Sequence, residues 1–178
     1  STTSHMCWSG TPYPMPTSFE GFQVSLYDNK ASNWTDSDIS ELIKMMVLDS
    51  GSSSKPTFAN PDYVFHVRLS NKQLVMATIA GQRKINMVAD LPFADKDIKV
   101  WFDPELMTNI IGLAFMVDHS KQVFMDTLIK DALVCTLKND SVVKFKHWNN
   151  IYGYKPKQTF VDSMAKLKGL EPAKPEQP

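Results

Sequence analysis

From Met45 to Tyr154 the sequence is a succession of short strand-like runs divided by turn residues. Their spacing of about 8–12 residues confines such a chain to an all-β barrel or sandwich. Residues 45–48 form a fully apolar run that ends at Asp49. Residues 64–69 and 74–79 flank a turn at Ser70-Asn71-Lys72-Gln73. Residues 84–89 alternate around Ile85, Met87 and Ala89, and 98–102 form a strand rich in apolar and aromatic residues. Strands at 122–126, 132–137 and 142–145 follow, with Asn139-Asp140 as the hairpin turn between the last two. Ile151-Tyr152-Gly153-Tyr154 closes the set. No internal repeat is present.

The flanks read differently. Ser1 to Met6 resembles a cloning remnant, and 7–20, with Pro12, Pro14 and Pro16, is an extended polar linker. Residues 22–27 alternate as a half-buried strand. Thr35 caps a helix over 36–44, with Asp36 and Asp38 in its first turn and Ile39, Leu42 and Ile43 on one face. After Pro156, Phe160, Met164 and Leu167 fall at helical spacing within 158–167, and 171–178 has the composition of a disordered tail. This divides the 178 residues into a remnant and linker (1–20), one domain (21–156), and a C-terminal helix with tail (157–178). The formal net charge is +0, which argues against nucleic-acid binding by bulk electrostatics. No apolar run approaches the roughly 18 residues of a membrane span. Cys7 and Cys135 make no disulfide framework and read as reduced and cytosolic; with four scattered His they lack the spacing of a zinc site.

The sharpest chemical feature is Val47-Leu48-Asp49-Ser50-Gly51-Ser52. A buried strand delivers a carboxylate to a fixed place. Gly51 lets the chain turn sharply and admits a second backbone. Ser50 can hydrogen-bond across to a facing copy of the loop. Two such carboxylates brought together share a proton, because close like charges cannot both ionise, and the pair can activate water against a peptide carbonyl. Asp-Ser-Gly is also an ordinary turn sequence. The four apolar residues that lead into it favour the catalytic reading over a surface turn.

Further motifs follow in order: Asn60-Pro61, Ile79-Ala80-Gly81-Gln82, Leu91-Pro92, Val100-Trp101-Phe102-Asp103-Pro104, Thr108-Asn109-Ile110-Ile111-Gly112-Leu113 and Phe124-Met125-Asp126. Together with Asp49-Ser50-Gly51 and the closing Ile151-Tyr152-Gly153-Tyr154, this series resembles the aspartic protease of copia-type retrotransposon polyproteins, especially an algal and oomycete branch. The resemblance spans about 45–155 without large gaps. Each motif is weak alone; their colinear order is specific.

The resemblance implies a mainly β, retropepsin-like closed barrel with one or two short helices. It implies an aspartic endopeptidase that cleaves its own retroelement polyprotein, in the cytoplasm or within virus-like particles, with polypeptide as substrate and no metal or organic cofactor. Each chain would supply one catalytic aspartate, Asp49, to a two-fold homodimer. Ser50 and Gly51 would support the active-site loop. Ile79, Ala80, Gly81 and Gln82 would form the flap over substrate, and Ile110, Ile111 and Gly112 would pack beneath the active-site loop. Three departures stand out. Leu113 replaces the arginine that braces many viral dimers, Lys55-Pro56 alters the expected substrate floor, and a single flap glycine implies a stiffer flap. A reading of a different class is a catalytically inactive module of the same fold that dimerises or binds peptide.

The remaining candidates read as structural. His66 and His147 are polar strand residues, and Ser50 lacks the context of a serine nucleophile. Met45, Met46, Met87 and Met107 fill core, and Trp34, Trp101 and Trp148 anchor core or domain edge. Lys155, Lys157, Lys166, Lys168 and Lys174 make a solvated basic face.

Overall fold

A computed structural model describes residues 35–52, 55–78, 81–128 and 131–170. The expected linker, the strand at 22–27, Trp34 and the tail at 171–178 lie outside them. Ten strands form one sheet: β1 (Met46–Asp49), β2 (Thr57–Phe58), β3 (Phe65–Thr78), β4 (Gly81–Phe93), β5 (Lys96–Phe102), β6 (Asn109–Gly112), β7 (Ser120–Met125), β8 (Ala132–Leu137), β9 (Val142–Trp148) and β10 (Ile151–Tyr154). Among the described residues three helices accompany them: α1 (Asp36–Leu42), α2 (Leu113–Asp118) and α3 (Gln158–Gly169). A 3-10 turn covers Pro61–Tyr63.

The sheet runs β3-β4-β5-β2-β6-β1-β10-β9-β8-β7 and is open, not the expected closed barrel. Among the described residues its end strands do not pair with each other. Helices stand at the ends instead: α3 packs on β3, and α2 packs on β7. The β-rich class is as expected. The helix count is not, because α2 was missed: six residues are too few to show a helical period.

β1 sits near the middle of the order. It pairs in parallel with β6 and antiparallel with β10, and the register sets Val47 beside Ile110 and Asp49 beside Gly112. Side chains alternate across it. Met46 and Leu48 pack into a core with Phe58, Val100, Phe102, Ile111 and Phe145. Val47 packs on the other side with Met76, Ile85, Val88, Trp101 and Ile110. Trp101 and Met46 are buried as the sequence implied, whereas Met45, Met87, Met107 and Trp148 are half-buried against these cores.

The turn expected at 70–73 is a correction of a different kind. Leu69 pairs with Met87 and Leu74 with Ile85, so residues 70–73 oppose Asn86 alone. The Lys72 N–H donates to Ser70 Oγ at 3.1 Å, which makes a local turn, but the strand then resumes against the same partner. The turn signal was real and marks a bulge within β3, not the end of a strand. Elsewhere the turns follow their chemistry. Asp140 (φ 70°) lies in the β8–β9 turn, and Asn149 and Asn150 (φ 45° and 65°) join β9 to β10 as a two-residue hairpin with both central residues left-handed.

A buried polar cluster ties these elements together. Thr35 and Asp38 form a capping box that starts α1. At the other end, Thr108 Oγ1 donates to the Leu42 carbonyl at 2.6 Å. Asn109, fully buried, donates through Nδ2 to the carbonyls of Ile43 (2.9 Å) and Met45 (2.8 Å). Its Oδ1 accepts from the N–H groups of Ala59 and Asn60, both at 2.9 Å. Asn60 Nδ2 also donates to Ile43, and Tyr63 Oη donates to the Lys44 carbonyl at 2.7 Å. Burial pushes the Tyr63 phenol up to about 12, so it stays a donor. We expect Asn109→Leu to lower stability by about 3–5 kcal/mol, because it strips partners from buried backbone groups that each cost about 1–3 kcal/mol unmet. Urea unfolding at fixed protein concentration measures it; a loss below about 1 kcal/mol would contradict the role.

Candidate active site

Asp49 ends β1, and its side chain alternates onto the face that also carries Val47. It is 9% exposed. The chain turns back at once: the Gly51 N–H donates to Asp49 Oδ1 at 3.0 Å, and the Ser52 N–H donates to the Asp49 carbonyl at 3.4 Å. Ser50 is left exposed at the turn, while Ser52 is buried. A carboxylate oxygen engaged by its own loop is held in orientation by that loop.

Beneath this loop lies Gly112. A Cβ there would sit 2.6 Å from the Ser52 carbonyl oxygen and 3.1 Å from Ser52 Cβ. The loop therefore rests directly on the Gly112 backbone. The two isoleucines divide between the cores: Ile110 joins Val47, and Ile111 lies on the far side. We expect Gly112→Ala to lower stability by about 1–3 kcal/mol, as overpacked positions do, and to shift the Asp49 loop. Thermal unfolding and the amide chemical shifts of residues 49–52 check it; unchanged shifts would mean that the loop does not rest on this glycine.

The β3–β4 hairpin stands where a flap was expected. Ile79 and Ala80 lie outside the described residues. Gly81 opens β4 opposite Thr78, with φ 117°, a backbone conformation that side chains other than hydrogen rarely adopt. Gly81 and Gln82 are exposed. Met76 and Ile85 of this hairpin are buried in the same apolar core as Val47 of β1.

Sequence reasoning missed the ionic group beside it. Arg83 Nε donates to Asp103 Oδ2 at 2.5 Å and Nη2 to Asp103 Oδ1 at 2.9 Å; Nη2 also reaches Glu105 at 2.8 Å. The Glu105 N–H donates to Asp103 Oδ1 at 3.0 Å. Burial opposes ionisation of Asp103, but the Arg83 fork and the Glu105 N–H outweigh it and hold the carboxyl below its ordinary 3.8. Because the folded value is depressed, the stabilisation is complete above the ordinary carboxylate range and is lost as pH falls through the folded value. The stability advantage of wild type over Asp103→Asn should therefore be full at pH 6 and shrink steadily below about pH 4. Urea midpoints across pH 2–7 test this; an advantage independent of pH would contradict it.

Lys55 Nζ lies 5.5 Å from the centre of the Trp101 ring, on the Val47 side of the sheet. His66 pairs with Asp90 near Arg68 on the exposed surface, as a structural polar residue. Among the described residues, no three His, Cys, Asp or Glu side chains converge to hold a metal ion, and no helix is long and apolar enough to cross a membrane. No family model, curated protein or solved structure matches this chain.

Proposed function

We propose that the chain is an aspartic endopeptidase of retropepsin type, active as a homodimer that cleaves polypeptide, its own polyprotein included. The observation that carries this reading is the placement of Asp49. It ends a buried central strand in an Asp-Ser-Gly turn seated on Gly112 of the parallel neighbour β6. The colinear order of the other motifs supports it, as does a long β3–β4 hairpin whose buried side chains share a core with Val47.

The chain contains one Asp-Ser-Gly, so a dyad requires two chains. In the dimer the two Asp49 carboxylates share a proton. The ionised one takes a proton from a water as that water attacks the peptide carbonyl. The protonated one donates to the carbonyl oxygen, and a proton then passes to the leaving nitrogen. Ser50, exposed at the turn, hydrogen-bonds to the facing loop in this reading.

Asp49→Asn keeps the shape of the side chain but removes the base. Turnover of the insulin B chain should fall at least about a thousandfold, with the urea midpoint little changed. In wild type the rate should be bell-shaped in pH with its optimum on the acidic side of neutral, because one carboxylate must be ionised and the other protonated. Wild-type turnover in the asparagine variant would contradict the proposal. Peptide binding without cleavage by either form would assign a non-catalytic module instead.

A further inference from the structure

The β3–β4 hairpin is supported unevenly along its length. Within β4, residues 91–93 pair with β5 and 87–90 lie between β3 and β5. Outward from there, among the described residues, only β3 flanks β4, so 81–86 and their partners form a two-stranded ribbon. Such a ribbon is marginal in water unless something else holds it. Its inner face is partly apolar: Met76 and Ile85 are buried. Arg83 is two residues from Ile85, pairs with Met76, and so shares that inner face.

Arg83 reaches across to the end of the strand that the ribbon has outrun. Asp103 directly follows β5, and its own N–H donates to the Phe58 carbonyl at 2.9 Å, which fixes it to β2. Asp103 is 7% exposed, and both its oxygens accept from Arg83. Two parallel N–H···O bonds to a fixed carboxylate set direction as well as distance. Glu105 adds a second, exposed acceptor.

We propose that Arg83 is a positioning residue that holds the outer half of the β3–β4 hairpin on the core face it shares with Val47, through the fork it makes with Asp103. This rests on the protease reading for its consequence in catalysis, but the tether itself does not. Without the fork the hairpin spends more time away from the face, and a peptide that needs the closed hairpin binds more weakly by that fraction. The chemical step, once the peptide is held, is unchanged.

The test uses the full chain with Arg83→Ala, Arg83→Lys and Asp103→Asn. Hydrogen exchange should quicken about tenfold at residues 74–76 and 81–86 in Arg83→Ala, with 88–91 unchanged. KM for the insulin B chain should rise about tenfold while kcat stays within about twofold. Arg83→Lys, which keeps the charge without the fork, should fall between Arg83→Ala and wild type, and Asp103→Asn should match Arg83→Ala. Unaltered exchange would overturn the proposal, as would equal acceleration at 88–91 or a loss in kcat alone. A wild-type chain inert toward peptides removes the protease reading alone; the exchange pattern still decides whether Arg83 holds the hairpin.

Discussion

Buried in the strand beside β1, the Asn109 carboxamide places both N–H donors and its oxygen on four backbone groups, those of Ile43, Met45, Ala59 and Asn60. These come from the end of α1, the start of β1 and the exit of β2. None of the three has a long regular partner in that region: β2 pairs through two residues and α1 is two turns long. A satisfied buried amide is directional where apolar packing is not. It therefore fixes the lead-in to Met46 relative to β6, and the parallel register that follows sets Asp49 on Gly112. The position of the carboxylate is inherited from a side chain three residues before Gly112.

From that anchor the rest of the site is arranged on one face. β1 divides two cores, and the one with Val47 and Ile110 also contains Met76 and Ile85 of the β3–β4 hairpin. The Asp49 turn is closed locally by the Gly51 N–H and floored by Gly112. The hairpin is the opposite case. Among the described residues its outer half pairs with β3 alone, buries Met76 and Ile85 and is tied by the Arg83–Asp103 fork.

What the sequence conveyed depended on how local the signal was. The apolar run into Asp49, the Asn139-Asp140 turn and the β8 to β10 meander are written in adjacent residues, and they stand where expected. The turn residues at 70–73 were also read correctly as a turn, but a bulge and a strand end share that chemistry until the partner strand is known. Closure was misjudged for the same reason: which strands lie at the ends, and that α2 and α3 stand beside them, is a property of long-range packing. The Asn109 cluster and the Arg83–Asp103 fork escaped because their members lie 20 to 66 residues apart. An asparagine entering the buried run Ile110-Ile111 was nevertheless a signal, since a buried amide in a strand needs partners from somewhere.

The central claim is that two copies of Asp49 build one site, and a mixing experiment addresses it directly. Increasing amounts of the Asp49→Asn chain are combined with wild type at constant total concentration, under conditions where chains exchange, and insulin B-chain turnover is followed. If each site needs an aspartate from both chains, mixed dimers are inert and the rate falls as the square of the wild-type fraction, to about a quarter at equal parts. A rate that falls only in proportion to the wild-type fraction would mean that each chain acts alone, and would contradict the account.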